Sequence, residues 1–346
     1  MTTLLLSGLA VTAAVCASLT AAVIPLLRRA RVIDVPGDRS LHKTPVPRGG
    51  GLAIVLSASL ATWATVLAAV HRHDTVHSLT GLGLALMGLA TVLAFALLGL
   101  IEDLFSVSVR ARLVLQLVLG AGLGLVAHSA FEVSLWWTPA ICVGTAALVN
   151  ATNFMDGANG LACGHALLTS LWYVQVAILA PVPGLGLVMV SVAGACLGFL
   201  PFNTPRAKVF LGDSGSYALG SAWAFAVTAC LSRGVAVEAA LAPVLVLLAD
   251  TGYTLWKRLR AGQCWYAPHR LHVYQRLVCA GWPHWASALL VTLAAAACSA
   301  LAASSLLTSN RLWMPQVAMA AVLIVYLKMP SIIGAPNPFP TLRRAR

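Results

Sequence analysis

Eleven apolar runs divide this chain, and they constrain its fold more than any other feature. Each run is close to the roughly 20 residues that a helix needs to cross the hydrocarbon core of a bilayer. Only α-helices and closed barrels satisfy every backbone group in lipid, and these runs do not alternate like barrel strands. We therefore predict an all-α, polytopic integral membrane protein with about 11 transmembrane helices. The predicted spans cover residues 3–27, 51–70, 80–101, 112–128, 135–150, 160–180, 184–201, 215–231, 235–256, 285–307 and 312–328.

The composition agrees with a single membrane-embedded domain covering residues 1–346. Hydrophobic residues make up 60% of the chain and charged residues only 9%. The basic residues behind the net charge of +12 lie in short loops and form no basic patch, which argues against a nucleic-acid partner. The eight cysteines include no CxxC pair and mostly fall inside apolar runs, so we interpret them as small buried residues. The first run reaches Leu27 and follows no basic segment, so we interpret it as a retained span and not a signal peptide.

The loop charges predict the orientation of the chain in the membrane. Nineteen of the 22 Lys and Arg lie in alternate loops and in the C-terminal tail, and only Arg72, Arg233 and Arg311 lie in the opposite set. The positive-inside rule places the basic set in the cytoplasm, with the N-terminus outside and the C-terminus inside. The polar clusters of interest fall on the same side, so we predict one site that opens to the cytosol. Its predicted loops are 28–50, 102–111, 150–160, 202–215 and 257–284.

The stretch NATNFMDGANGL at residues 150–161 packs three Asn, one Asp and two Gly between two apolar runs. Lipid offers these groups no hydrogen-bond partners, so polar residues at a membrane boundary indicate function. The glycines at 157 and 160 allow a sharp turn and a close approach to a ligand. An ordinary polar loop between helices is the alternative. The cluster supplies one carboxylate and three amides, from Asp156, Asn150, Asn153 and Asn159.

Two other clusters suggest chemistry on a phosphorylated substrate. Carboxylates beside Gly-rich turns suit Mg²⁺ and phosphate, and Glu102, Asp103 and Asp213 are the best candidates for a metal ligand or a base. The alternatives are an acidic pair that favours a helix end and a plain N-cap by Asp213 or Ser214. A basic block suited to a pyrophosphate follows later, although it is also typical of a charge run that binds anionic lipid headgroups. This block consists of His269, Arg270, His272 and Arg276.

The motifs together resemble a known enzyme family. NxxNFMDGxNGL, FNxPxAKVFxGDSGS and HxxHxYQRL occur in the order and spacing of the polyprenyl-phosphate N-acetylhexosamine-1-phosphate transferases. That family includes the phospho-MurNAc-pentapeptide translocase and the enzymes that start O-antigen and teichoic-acid linkage units. The histidine pattern resembles the O-antigen-initiating branch, and eleven spans resemble the linkage-unit branch. The resemblance implies a multi-pass protein of the bacterial inner membrane with a cytoplasmic active site.

The resemblance also implies the reaction. A UDP-N-acetylhexosamine and undecaprenyl phosphate give an undecaprenyl-diphospho-sugar and UMP, with Mg²⁺ or alternatively Mn²⁺ as cofactor. This reaction is the first membrane step of cell-envelope glycan synthesis, lipopolysaccharide included. By position, Phe210 matches the aromatic residue that stacks on uracil, and Asp250 falls where the family often has an acidic residue. Glu102 departs from the family, whose first acidic residue in the pair is normally Asp.

Residues and resemblance together predict the roles of fourteen side chains. Catalysis is assigned to Glu102, Asp103 and Asp156, metal binding to Asp213 and Asp103, and substrate binding to Lys43, Asn150, Asn153, Asn159, Phe210, Lys208, His269, Arg270, His272 and Arg276. The donor sugar stays open between GlcNAc and a 6-deoxy sugar such as N-acetyl-fucosamine or N-acetyl-quinovosamine, and MurNAc-pentapeptide fits the histidine pattern less well. A secondary transporter is the alternative from another class. The oligomeric state, a homodimer included, also stays open.

Overall fold

The computed structural model describes residues 2–37, 41–42, 44–71, 79–105, 107–180, 182–264, 266–267, 269–307 and 313–336. The described chain is almost entirely helical, which confirms the predicted all-α membrane fold. Its only sheet within these ranges is an antiparallel pair, β1 (Ile33–Asp34) with β2 (Val46–Pro47). The helices are α1 (Thr2–Arg29), α2 (Gly51–His71), α3 (Leu79–Phe105), α4 (Val109–Phe131), α5 (Thr138–Phe154), α6 (Leu161–Leu179), α7 (Leu185–Asn203), α8 (Gly212–Ser232), α9 (Val237–Leu241), α10 (Leu245–Arg260), α11 (Val273–Cys279), α12 (His284–Ala302), α13 (Ser304–Leu307) and α14 (Met314–Ile332).

Every predicted span corresponds to a helical segment, although not all of them meet a strict criterion for crossing a membrane. In the described part of the chain, nine segments are long and apolar enough to do so. The other two predicted spans are α5, which has 17 residues, and α8, which has 21. The Ser, Gly and Thr residues of α8 make it less apolar, and they are tolerated because this helix faces protein and not lipid. The number of crossings and the sides of the termini stay predictions.

Helix α8 is the centre of the structure. Nearly all of its residues are buried, and it packs most extensively against α3 and α5. Glycines allow these close approaches, since a Cβ at Gly99 of α3 would lie 2.2 Å from the backbone oxygen of Asp213. A Cβ at Gly220 would lie 2.6 Å from Cα of Val149 in α5. These contacts bring the polar ends of α3, α5 and α8 together.

The helices extend further into the predicted loops than the hydropathy suggests. Helix α3 continues to Phe105, so Glu102 and Asp103 belong to its last turns. Helix α5 continues to Phe154, which places Asn150 and Asn153 one turn apart on a helix. Asp213 lies in the first turn of α8. These polar residues remain helical because they face a polar cleft inside the protein, where hydrogen-bond partners are available.

Two loops cross at the start of α8. The backbone of Phe210 donates to the carbonyl of Pro47, and Gly50 N–H donates to the carbonyl of Phe210, at 2.8 and 2.9 Å. The amide of Asn203 accepts from Gly160 N–H at 2.8 Å and donates to the carbonyl of Val209 at 3.0 Å. The segments around residues 48, 160 and 210 are therefore held together at one end of the helix bundle.

Candidate active site

A cleft of about 890 Å³ lies at this end of the bundle. All five predicted cytoplasmic loops contribute residues to it, as the prediction of a single site requires. Its polar lining includes Asp34, His42, Arg48, Glu102, Arg112, Asn150, Asn153, Asp156, Asn159, Asp213, His269, His272 and His284. Phe210 also lines it, and the ring of His42 lies 4.8 Å from the Phe210 ring in a tilted arrangement.

Arg48 joins two of the predicted site residues. Its Nε lies 3.0 Å from Oδ1 of Asp103, and its Nη2 lies 2.7 Å from Oδ2 of Asp213. The two oxygens of Asp103 also accept the backbone N–H groups of Asp213 and Ser214, both at 3.0 Å. The Asp103 side chain is only 3% exposed, so it anchors the first turn of α8 from below the cleft. Asp213 is therefore held at the surface of the cleft by Asp103 and Arg48.

The amides of α5 complete the polar wall. Asn153 Nδ2 donates to Oδ1 of Asp213 at 2.7 Å and to the hydroxyl of Ser216 at 3.0 Å. One turn earlier, Asn150 Nδ2 donates to the side-chain oxygen of Gln116 and to the carbonyl of Ala146. Both amides are thus fixed in orientation by α4, α5 and α8, as residues that position a ligand must be.

Glu102 differs from Asp103 in having an open oxygen, that is, a carboxylate oxygen without a hydrogen-bond partner among the described residues. Its Oε1 accepts from Nη1 of Arg112 at 3.3 Å, whereas Oε2 is buried and has no hydrogen-bond partner among the described residues. A buried polar atom without a partner is costly in a folded protein, so an open carboxylate oxygen beside a cleft indicates a functional role. Of the acidic pair, Glu102 is thus the carboxylate that can act on a ligand in the cleft.

Asp156 lies in the turn between α5 and α6, outside the membrane-spanning segments. It lines the cleft, and burial raises its pKa well above the ordinary value for Asp. The negative charge of Asp213 raises the pKa further, and Arg48 opposes the rise. A raised pKa makes this carboxylate a stronger base than an ordinary Asp, a property that a role in proton transfer requires.

Histidines also line the cleft. His269 and His272 line the cleft with their rings 4.9 Å apart, and burial lowers the pKa of His269 to about 4, with His272 and Arg258 adding to the effect. His284 Nδ1 accepts from the backbone N–H of Asn159 at 3.3 Å. The Asn159 amide donates to the carbonyl of Pro205 at 3.1 Å. These residues therefore supply imidazole groups to the cleft.

The cleft continues into an apolar arm. Residues around the start of α4, from α5 and from α10 line it, namely Val107, Val109, Leu113, Ala147, Ala151, Leu248, Thr251, Gly252 and Leu255. On α10 these residues belong to a face that includes the exposed Leu255. The cleft thus joins a charged wall to an apolar surface.

Not all predicted binding residues line the cleft. Lys208 lies over the ring of Phe202 at 5.8 Å, and Arg276 is buried and donates to the carbonyl of Pro336 at 3.1 Å. Arg270 is likewise absent from the lining. Lys43 lies outside the described residues. The roles assigned to these four side chains stay predictions.

The structure adds residues that the sequence analysis did not select. Arg48, Arg112, His42 and His284 all line the cleft. Arg48 and Arg112 were counted only as markers of the cytoplasmic side. The signal that distinguishes Arg48 is its position directly before three glycines in PRGGG, where the backbone passes close to other elements.

The oxygen-rich wall fits Mg²⁺. In the part of the chain that the structure describes, no group of three or more His, Cys, Asp or Glu side chains is close enough to hold a metal ion. Mg²⁺ does not require such a group, because it often takes one or two carboxylates together with substrate phosphates and waters. Asp213, at the cleft surface, and the open oxygen of Glu102 suit that role. Asp213 lines the cleft, whereas the Asp103 side chain is only 3% exposed and is absent from the lining, so the geometry favours Asp213 over Asp103 as the ligand.

Comparison with known proteins gives the family. Glycosyl transferase family 4 matches residues 85–231, which run from α3 to α8. A decaprenyl-phosphate N-acetylglucosaminephosphotransferase of Mycobacterium leprae is 31% identical over 307 residues, which cover 78% of this chain and 75% of that protein. A probable undecaprenyl-phosphate N-acetylglucosaminyl 1-phosphate transferase of Bacillus subtilis is 27% identical over 292 residues, covering 78% of this chain and 77% of that protein. A phospho-N-acetylmuramoyl-pentapeptide-transferase of Desulforamulus reducens is 31% identical over 231 residues, covering 58% and 66%. The chain therefore belongs to glycosyl transferase family 4 and is a membrane-embedded enzyme of the phosphotransferase class.

Proposed function

We propose that this enzyme transfers N-acetylglucosamine 1-phosphate from UDP-GlcNAc to a polyprenyl phosphate and releases UMP. The observation that carries the proposal is the single cleft in which a wall of carboxylates, amides and Arg48 meets an apolar arm. Such a cleft can hold a water-soluble diphosphate and a lipid phosphate side by side. The names of the relatives from Mycobacterium leprae and Bacillus subtilis support GlcNAc as the sugar, with decaprenyl or undecaprenyl phosphate as the acceptor. Family membership in an enzyme class argues against the secondary-transporter alternative.

Catalysis in this proposal depends on charge neutralisation. Both reactants are anions, and positioned cations and N–H donors lower the barrier to their approach. Arg48 lies in the lining and faces Asp213, where it can offset charge on the sugar-nucleotide diphosphate. Mg²⁺ held by Asp213 would supply further charge neutralisation at the diphosphate. Holding both anions at one membrane boundary turns a bimolecular encounter into an oriented one.

Removal of the proton from the lipid phosphate is assigned to Glu102. Its open Oε2 can accept a proton, whereas each oxygen of Asp103 already accepts a backbone N–H group. Asp156 is a second acceptor on the same wall, and burial has raised its pKa. Phe210 and the adjacent His42 form an aromatic corner of the cleft that suits a flat base such as uracil.

The test is release of UMP by purified protein with undecaprenyl or decaprenyl phosphate. We expect release with UDP-GlcNAc, and comparison with UDP-MurNAc-pentapeptide and a UDP-6-deoxy-N-acetylhexosamine identifies the donor. If UMP is released only with UDP-MurNAc-pentapeptide, the donor sugar is MurNAc-pentapeptide and not GlcNAc. Release that does not depend on the lipid acceptor would contradict transfer altogether.

The proposed location is the bacterial inner membrane, with the cleft open to the cytosol. Cys264 and Cys279 are exposed, and both follow the basic end of α10. We expect a membrane-permeant maleimide to label them in intact cells and an impermeant one to leave them unlabelled.

The control for this labelling is Ser134→Cys in a chain that also carries Cys264→Ser and Cys279→Ser. Ser134 is exposed between α4 and α5, at the opposite end of the bundle. Here the impermeant reagent should react. Labelling of Cys264 by the impermeant reagent would place the cleft on the outer side and contradict the proposed orientation.

A further inference from the structure

Asp250 is a fully buried carboxylate that does not line the cleft. Its Oδ1 accepts from Nδ1 of His272 at 3.1 Å and from the hydroxyl of Thr254 at 3.2 Å. Its Oδ2 accepts from the hydroxyl of Tyr326 at 2.8 Å. The backbone N–H of Val273, in the first turn of α11, lies 3.1 Å from both oxygens. Asp250 thus connects α10, α11 and α14 through one side chain.

The pairing fixes the orientation of His272. A carboxylate accepts hydrogen bonds, so the Nδ1 that faces it carries the proton. The other ring nitrogen, Nε2, then lies on the far side of the imidazole. The ring lies beside those of Phe154 and Tyr274, each with its ring centroid 6.1 Å away, at interplanar angles of 27° and 12°. His272 lines the cleft, although little of its side chain is exposed.

We propose that Asp250 and Tyr326 are positioning residues for the transfer reaction, because they hold His272 with Nε2 toward the substrate phosphates. This inference rests on the proposed function, since it takes the cleft as the place where those phosphates bind. It makes α14 part of the catalytic machinery, although α14 lies outside residues 85–231. The hydroxyl of Tyr326 keeps Oδ2 engaged and leaves Oδ1 directed at the imidazole.

The expected loss of rate follows from the sensitivity of catalysis to misplaced side chains. Loss of the Tyr326 hydroxyl lets the Asp250 carboxylate rotate and the imidazole shift, and a displacement of about 1 Å can cost up to about 10²-fold in rate. We expect Tyr326→Phe to lower kcat about 10-fold and Asp250→Asn to lower it about 10²-fold. The KM for UDP-GlcNAc should change by less than about 3-fold in Tyr326→Phe, because the phenol itself does not contact substrate in this arrangement.

The decisive measurement repeats these substitutions in a His272→Gln chain. If Asp250 and Tyr326 act through the imidazole, Tyr326→Phe should change kcat by less than about 2-fold in that background, because nothing remains to be positioned. If they act only on the stability of the fold, the loss of kcat should be the same with and without His272. That result would overturn the inference, and so would a wild-type kcat in Tyr326→Phe or in His272→Gln.

Tyr173→Phe is the matched control. Tyr173 is a fully buried tyrosine of α6 whose hydroxyl donates to the carbonyl of Ala240 at 2.8 Å, remote from the cleft. It should lower thermal stability about as much as Tyr326→Phe and leave kcat unchanged. If Tyr326→Phe does not fold, the Asp250→Asn and His272→Gln pair decides by the same comparison. UMP release by the wild-type protein tests the proposed function separately, so its failure is distinct from a failure of this inference.

Discussion

Asp103 and Asp250 are two buried carboxylates that hold the N-terminus of another helix, and they balance their charge in different ways. Asp103 accepts two backbone N–H groups of α8 and contacts the guanidinium of Arg48. Asp250 accepts a backbone N–H group of α11 together with two hydroxyls and an imidazole. The wall around Asp103 is therefore built on opposite charges, and the wall around Asp250 on dipoles. We interpret the first as the side that neutralises substrate charge and the second as the side that orients a histidine.

The acidic residues fall into two groups, those that support the structure and those that can act on a ligand. Asp103 and Asp250 have their oxygens engaged below the surface, whereas Glu102, Asp156 and Asp213 line the cleft. Removal of a buried acceptor should affect stability as well as activity. Removal of a carboxylate at the cleft surface should affect activity alone. Substitutions at these carboxylates test that distinction.

The largest expected effect is that of Asp213→Asn. The amide keeps the size of the side chain, removes the charge that suits Mg²⁺, and presents an N–H group or a weaker acceptor to Arg48. We expect UMP release to fall by about 10²–10³-fold at limiting Mg²⁺. Glu238→Gln, which removes a carboxylate from the distant α9, is the control and should retain activity. Near-normal turnover by Asp213→Asn would remove this residue from the proposed metal site.

The next comparison sets Glu102→Gln against Asp103→Asn. If Glu102 is the base, its loss should cost about 10²–10⁴-fold in rate with little change in thermal stability. Asp103→Asn should lower both, because an amide leaves one N–H donor of α8 without an acceptor, at about 1–3 kcal/mol. Glu102→Asp should retain most activity. If both amide variants stay within a few-fold of wild type, neither carboxylate carries the proton transfer.

Arg48→Lys should have a smaller effect. The guanidinium contacts two carboxylates at once, and the single ammonium of a lysine cannot reproduce that geometry. We expect about a 10-fold loss of kcat with an unchanged overall fold. Arg110→Lys changes an exposed arginine nearby and should have no effect. Equal activity of the two variants would mean that Arg48 acts only as a positive charge.

The smallest expected effect concerns stability and pH. Burial lowers the pKa of His269 from 6.5 to about 4, so the folded protein holds this imidazole neutral. The unfolded chain takes up a proton below its pKa of 6.5, and stability is therefore lost as the pH falls from 6.5 toward 4. His269→Gln should reduce that loss by a few degrees of Tm on the acidic side, measured by thermal unfolding in detergent. An identical pH dependence in both proteins would show that His269 is not a source of the acid sensitivity.

The sequence by itself determined the membrane fold and the family of this protein. The apolar runs had to become helices because lipid leaves the backbone no other partners, and the motifs around Asp156 and Asp213 were contiguous enough to be read directly. Contiguous motifs also predicted most of the cleft, including Glu102, Asn153 and His272.

Only the tertiary structure decided which of these residues contact one another and which have oxygens available to a ligand. Asn153 meets Asp213 across 60 residues, Asp103 meets the backbone of Asp213 across 110, and Tyr326 meets Asp250 across 76. No local periodicity encodes such pairs, because they arise from the packing of α3, α5, α8, α10 and α14. The same packing left one oxygen of Glu102 without a hydrogen-bond partner, whereas both oxygens of its neighbour Asp103 accept N–H groups of α8. This difference between adjacent carboxylates arises from hydrogen-bond geometry alone.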